Sequence, residues 1–417
     1  MQIKKRYTAI FSGMILFISL ASGQEITQQD GSFRAKIRNQ FDVKFDGQLN
    51  IRVSNGRFNI SGWEKQEVRI EETLRMDVYT QEEARRILER SKANYEQDGP
   101  NIIVQRRGGG HGVFRSFTIK VPNRYNIKLK TSSGEIEVSD VEGKSDINTT
   151  GGDIRISRCN GIIDARTSGG DVELTSIRAS VEINTAGGNI ELNGIDGEIE
   201  AATSGGYIEL NNTTQQARIR TSGGDLLIKN AKGEINGRTS GGSIRAENCE
   251  KDLKIRTSGG NISLTNTAGQ VQGYTSGGDI DGKKLFGECD LSTSGGEIEL
   301  KDVRAPVLAK TMGGNIDVEM TLRDFSKPHF IDLNTASGDI ILSIPEKLPA
   351  TIRAEIRLDR NRRTWKRHDI FSDFPLTKST TKVNQRAALV SEGEINGGGD
   401  TIFLSTSNGD ISIKKAK

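Results

Sequence analysis

A short pattern, Thr-x-Ser/Gly-Gly with an aliphatic residue two places further on, begins at Thr131, Thr149, Thr167, Thr185, Thr203, Thr221, Thr239, Thr257, Thr275, Thr293 and Thr311, always at the same interval of eighteen. A register held this long marks a repeat architecture in which each unit buries its apolar face against its neighbours. A helical repeat is excluded by the paired glycines, each of which costs about 1 kcal/mol relative to alanine inside a helix.

With Thr as position 0, position 5 is always aliphatic, from Ile136 and Ile154 to Ile316, and position 7 is mostly Val, Ile or Leu. Positions 14 and 16 alternate in the same way, as in Val181 with Ile183 and Leu253 with Ile255. Period-two alternation predicts two short strands per unit, each with one buried face. Turns separate them: Ser-Gly-Gly at one corner, and at the other a looser corner with Asn or Asp near position 9 and often Gly at 12, as in Asp140 and Gly143; glycine is expected to supply the positive φ angles of such corners. Position 16 runs Ile147, Ala165, Ile183, Ala201, Ile219, Gly237, Ile255, Gly273, Leu291, Ala309, large and small by turns, so that successive layers interlock. That alternation fits an 18-residue coil of one unit or a 36-residue coil of two. Eleven single-unit coils would make a rod of about 50 Å at roughly 4.8 Å per strand.

Residues 24–130 read as an N-terminal cap of strands, among them Gln48 to Val53, Phe58 to Ile60 and Glu67 to Glu71, with one helix over about 80–96. Thr80 and Glu83 form its capping box, Ala84, Ile87, Leu88 and Tyr95 its apolar stripe, and Gly99-Pro100 its expected end. The regular array spans 131–328. Residues 329–417 read as irregular C-terminal coils and a cap, because echoes of the pattern at Thr335 and Thr406 follow a 24-residue and then a 71-residue interval. Caps are needed to hide unpaired strand edges.

Residues 1–23 have the three parts of a signal peptide: Lys4, Lys5 and Arg6, the apolar run Ala9 to Leu20, and Ala21-Ser22-Gly23, with cleavage expected before Gln24. No later stretch approaches the roughly 20 apolar residues of a membrane span, and no Cys near the cleavage site would accept a lipid. The 58 basic and 55 acidic residues give +3. Three of the basic residues lie in the leader, so the mature chain is balanced at 55 each, and overall charge implies no polyanionic or nucleic-acid partner. Cys159, Cys249 and Cys289 are too few for a disulfide framework. Cys159 and Cys249 share one repeat position five units apart, roughly 24 Å, beyond bridging reach.

Chemistry is sparse. Acids after Gly-Gly (Asp153, Asp171, Asp225, Asp279, Glu297) suggest calcium-binding rolls, but those need Gly-Gly-x-Gly-x-Asp at both corners, and here the acid is often Asn, Ser or Tyr. As far as Met320 the array holds only Tyr207, Tyr274 and Phe286 as aromatics, little for a polysaccharide-cleaving enzyme. His111, His329 and His368 are isolated from one another, which argues against a triad or a multi-histidine metal site. Gly108-Gly109-Gly110 lacks the context of a phosphate cradle. The sharpest charge feature surrounds Trp365: Arg353, Arg357, Arg360, Arg362, Arg363 and Arg367, joined by Lys366, could grip a polyanion. Arg166, Arg220, Arg238 and Arg256 form a ladder at position 17. No catalytic residue, cofactor or metal is expected.

The Thr-Ser-Gly-Gly-Asp-Ile repeats resemble those of a bacterial adhesin-type domain family of unknown function, related to head-domain autotransporter adhesins. The segment Leu49-Asn50-Ile51 leading to Gly62-Trp63, the helix at Thr80, the entry Ile119-Lys120-Val121-Pro122 and the closing Gly398 to Leu404 with Thr406 to Ile411 carry the resemblance over nearly the whole mature chain. It implies a β-helix-like exported protein and no catalytic motif. The expectation is thus an all-β solenoid, exported to the periplasm, outer surface or medium, non-enzymatic, adhesive or structural, and binding an unknown cell-envelope or surface protein or glycan. The alternative is a periplasmic scaffold or envelope-stress signalling component.

Overall fold

The computed structural model describes residues 23–29, 31–106, 113–357, 368–383 and 386–416. Two long sheets of nineteen strands each, counted among the described residues, run side by side and enclose one continuous apolar core from Phe41 to Ile413. The stacking is parallel with a step of one unit. Ile136 pairs with Ile154 and Ile154 with Val172 in one sheet, while Ile147 pairs with Ala165 and Ala165 with Ile183 in the other. One coil is therefore one 18-residue unit, and the 36-residue winding is excluded.

The large and small residues of position 16 do face each other in adjacent coils. A Cβ added at Gly273 would meet Leu291 Cδ2 at 2.8 Å, and one at Gly237 would meet Ile255 Cγ2 at 3.5 Å. Position 7 repeats the device late in the array, where Gly282 leaves room for Leu300 and Leu285. Each position-0 threonine is buried, and from Thr167 onward each bridges two coils. Thr167 Oγ1 donates to Gly152 O at 3.0 Å and accepts from Gly170 N at 3.2 Å, and the arrangement recurs to Thr311. Valine would fill the same space and leave both backbone groups unpaired.

The corner glycines differ from the expectation. None of the pairs from Gly151-Gly152 to Gly313-Gly314 has positive φ. The second glycine of each pair is required by close approach: a Cβ on Gly170 would sit 2.0 Å from Gly152 O, and one on Gly206 2.1 Å from Gly188 O. In the ten coils that begin at Thr131 to Thr293 position 9 is left-handed, occupied by Asp140, Arg158, Ser176, Gly194, Asn212, Asn230, Asn248, Asn266, Lys284 and Asp302, and the expected positive φ of glycine at position 12 is found at Gly143 and Gly161. Asparagine tolerates this region best among non-glycine residues, and here its amide also links coils: Asn248 Nδ2 donates to Asn230 Oδ1 at 2.9 Å and Asn266 Nδ2 to Asn248 Oδ1 at 2.8 Å.

Both ends place a coil out of chain order. The coil of Gln48–Val53 and Arg57–Trp63 lies between the array and a later segment, Asn101–Arg106 and Val113–Pro122. At the other end, Asp400–Thr406 and Ile411–Lys415 stack directly on Ile331–Thr335 and Ile340–Ile344, and Ala350–Arg357 with Ile370–Ser372 lie beyond them. The 71-residue interval is thus an excursion. Thr406 Oγ1 donates to Gly338 O at 3.0 Å, as if the array had never been interrupted. Outside these coils the pairing turns antiparallel, through Glu67–Met76, Ser32–Asp42 and Gly23–Gln29 at one end and Arg386–Ile395 and Thr377–Val383 at the other.

The helix spans Gln81–Ser91, with Thr80 Oγ1 capping Glu83 N at 3.2 Å. It stops short of the expected end, and Tyr95 lies in the strand Asn94–Asp98. Glu72, fully buried, accepts from Ala93 N at 3.1 Å and Tyr95 Oη at 2.6 Å, and Arg115 donates to the Ser91 carbonyl. These bonds replace the next helical turn. Gly99, with φ 58°, makes the two-residue hairpin turn to Asn101–Arg106.

Candidate recognition face

The outward residues of positions 13, 15 and 17 cover one flank of the rod, where a groove of about 650 Å³ runs from Lys144 to Gln272. Strand alternation turns these side chains out, while positions 14 and 16 point into the core. In-register stacking then builds charge columns. The first is acidic: Asp146, Asp164, Glu182 and Glu200 succeed one another on neighbouring strands. Arg166 reaches Asp164 at 3.0 Å and Glu182 at 2.8 Å, and Lys128 reaches Asp146 at 3.4 Å. Burial raises the Asp164 pKa, and its Oδ1 is buried without a hydrogen-bond partner.

Further along, the sign reverses. Three consecutive coils present Arg218 and Arg220, then Arg238, then Lys254 and Arg256, with Arg220, Arg238 and Arg256 directly in register. All five are exposed, and none has an ion-paired carboxylate among the described residues. Glu234 and Asp252, at position 13, are the carboxylates of the same coils on this flank. The ladder ends on an aromatic ring. Arg256 lies 4.3 Å from the Tyr274 ring centroid, and Tyr274 Oη meets Ser276 Oγ at 3.2 Å. Like charges directly opposite in a sheet are destabilising. Stacked guanidinium groups suit carboxylate, sulfate or phosphate, which they can take in bidentate fashion. The ladder was legible at position 17. Arg218 and Lys254 follow the same period two residues earlier, a signal that single-position reading passed over.

Of the cluster around Trp365, the structure describes Arg353 and Arg357, both on the strand Ala350–Arg357. Arg353 pairs with Glu392 at 2.7 Å and Arg357 with Glu355 at 3.3 Å. Arg360, Arg362, Arg363, Lys366 and Arg367 lie outside the described residues, as do His111, Gly108-Gly109-Gly110 and the leader to residue 22. The aspartates after Gly-Gly hold backbone amides of the next coil, and Glu297 accepts from the Asn315 side-chain amide. Asp153 Oδ1 accepts from Asp171 N at 3.0 Å, Asp171 Oδ1 from Asn189 N at 2.7 Å, and Asp279 Oδ1 from Glu297 N at 2.9 Å. Asn and Ser do the same where they replace Asp, as Ser243 does for Asn261 N at 3.2 Å.

His329 is buried between the Lys327 and Pro349 carbonyl oxygens, each 2.8 Å from a ring nitrogen. His368 packs against Asn408 and Asp410. Among the described residues no group of three His, Cys, Asp or Glu side chains is placed to hold a metal ion. The three cysteines are buried and unpaired, and burial pushes the Cys249 thiol up to about 11 and the Cys289 thiol up to about 12. Such thiols are poor nucleophiles.

Comparison with known proteins settles kinship. The Toastrack DUF4097 family matches residues 65–248 and again residues 195–414. The chain belongs to the Toastrack family. Its two family matches overlap within the array, where every 18-residue coil offers the same pattern. No curated protein matches this Toastrack chain. A solved structure of a "putative cell adhesion protein" from Clostridium sporogenes is 8% identical, covering 91% of this chain and 99% of that one, with a TM-score of 0.17. A "putative lipid binding protein" from Parabacteroides distasonis is 13% identical, covering 92% and 97%, with a TM-score of 0.21. Neither superposition is close enough to bear on the Toastrack chain's role. No helix among its described residues is long and apolar enough to cross a membrane.

Proposed function

We propose that this Toastrack protein is an exported, non-catalytic rod that acts by surface recognition, as an adhesive or structural component of the cell envelope. The observation that carries this reading is the ladder of Arg218, Arg220, Arg238, Lys254 and Arg256 ending on Tyr274, an exposed row of cations without ion-paired carboxylates among the described residues, on a repeated scaffold. Solenoids recognise partners along extended faces. Backbone positions held at a fixed spacing by the strand register suit an extended anionic glycan, which would need no rearrangement of the coils to bind. The family resemblance and the leader-like residues 1–23 support export, and kinship with autotransporter head domains belongs to the same proposal. The Arg353 to Arg367 segment is a second proposed contact for the polyanion.

Two measurements test the proposal. Replacing Arg220, Arg238 and Arg256 together by Ser should weaken binding to an immobilised polyuronate at least tenfold, and replacing Arg360, Arg362 and Arg363 tests the second segment in the same assay. Unchanged affinity in both variants would remove polyanion recognition. Protease shaving of intact cells, with a periplasmic control protein, reads location. Loss of the rod with the control protected supports the surface role. Protection until the outer membrane is opened would make the protein a periplasmic scaffold or sensor.

A further inference from the structure

A second charged feature lies on the N-terminal cap, at the turn that joins Arg57–Trp63 to Glu67–Met76. Trp63 is pinned there: its Nε1 donates to Glu67 O at 2.8 Å, and its own carbonyl accepts from Asn123 N at 2.8 Å. Three cations converge on the indole, with Lys65 Nζ 5.1 Å, the Arg69 guanidinium 5.0 Å and Lys120 Nζ 5.4 Å from the ring centroid. Arg69 and Lys120 are also directly opposite in the antiparallel pair of Glu67–Met76 with Val113–Pro122. Only one carboxylate among the described residues enters the group. Glu67 Oε1 takes Arg69 at 3.0 Å, and its other oxygen accepts from Gln40 Nε2 at 2.8 Å. Lys65 and Lys120 have no ion-paired carboxylate among the described residues, and Glu64 on the same turn pairs with neither.

Like charges opposite one another in a sheet are destabilising. A cation over an exposed ring recovers only about 0.5–1 kcal/mol. The sequence therefore holds two uncompensated ammonium groups and a guanidinium around one fixed point, an arrangement that an added oxyanion would relieve. We propose that Lys65, Arg69 and Lys120, gathered on Trp63, form a binding site for the carboxylate or phosphate group of a small ligand. Arg69 offers an oxyanion a planar fork and the two lysines offer it point charges. The site is separate from the arginine ladder and stands or falls without it.

The indole provides its own reporter. Trp63 and Trp365 are the two tryptophans of the chain, so in full-length protein carrying Trp365→Phe the emission reports Trp63 alone. Sodium phosphate and galacturonate are titrated, with galactose and matched sodium chloride as references. A saturable change with either anion, absent from both references and weakened at least tenfold by Lys65→Gln with Lys120→Gln, is the expected result. Should the double variant fail to fold, Lys65→Met on the exposed turn is expected to weaken binding at least threefold. Emission that follows chloride alone, or variants that bind as well as the parent, would overturn the site and leave Trp63 as a staple for its neighbouring cations.

Discussion

Adjacent glycines in the same corner carry unequal constraints. In the coil that begins at Thr203, a Cβ on Gly206 would lie 2.1 Å from Gly188 O, whereas one on Gly205 would find its nearest neighbour, Gly187 O, at 3.4 Å. Neither has positive φ, so the difference is one of space between coils. Gly206→Ala should force the coils apart and destabilise by about 1–3 kcal/mol, while Gly205→Ala should stay within about 0.5 kcal/mol. Chemical denaturation of the two variants checks this, and equal losses would contradict it. The chain carries its own precedent: Ser133, Ser337 and Asn408 stand at the first position, but the second is glycine in every coil that opens on threonine, from Thr131 to Thr406. Sequence shows that the second position is the stricter one; the stacked carbonyl supplies the reason.

At the scale of elements, the N-terminal helix shows how a tertiary contact overrides a local pattern. Ala84, Leu88 and the later Tyr95 suggest one helical stripe, but Glu72 captures Ala93 N and Tyr95 Oη and pairs with Arg115 Nε at 2.7 Å. Glu72 and Arg115 are both essentially buried. Burial, then the Glu72 carboxylate, raises the Tyr95 phenol above its ordinary range, keeping it a hydrogen-bond donor. Breaking a buried pair strands a charge, so Glu72→Ala should cost about 3–5 kcal/mol. Replacing both partners, as in Glu72→Leu with Arg115→Met, should recover most of that loss. Urea unfolding followed by circular dichroism measures both, and a double variant as unstable as Glu72→Ala would show that the pair's value lies in its bonds to Ala93, Tyr95 and Ser91.

The whole molecule is a one-dimensional stack, so its tolerance to change in length follows from what each coil presents to the next. Deleting residues 185–202 would keep the 18-residue register but lay Ile183 against Ile219, two large side chains where the array has large against small. Deleting 185–220 would instead bring Ile183 onto Gly237. The longer deletion should melt at the higher temperature, because overpacking costs about 1–3 kcal/mol and the 36-residue excision avoids it. A shorter-deletion protein as stable as the longer would show that position 16 is free to repack. The caps belong to this scale too. At each end the outermost coil comes from a chain excursion, and the edge strand Thr377–Val383, rich in Thr with Lys378 and Lys382, discourages further addition.

The repeat, its period, the inward and outward faces of each strand, the start of the helix and the column of arginines can be read along the chain, because all of these are local or strictly periodic. The rest came from how the coils stack. Tertiary packing chose one unit per coil, returned Thr406 to Gly338 across the whole C-terminal excursion, ended the helix at Ser91 and set the corner aspartates against backbone amides of the next coil. It also separated Arg353 and Arg357, which have carboxylate partners, from Arg220, Arg238 and Arg256, which have none among the described residues. Those outcomes depend on which atoms meet across coils, and residues far apart in the chain meet only once the coils are stacked.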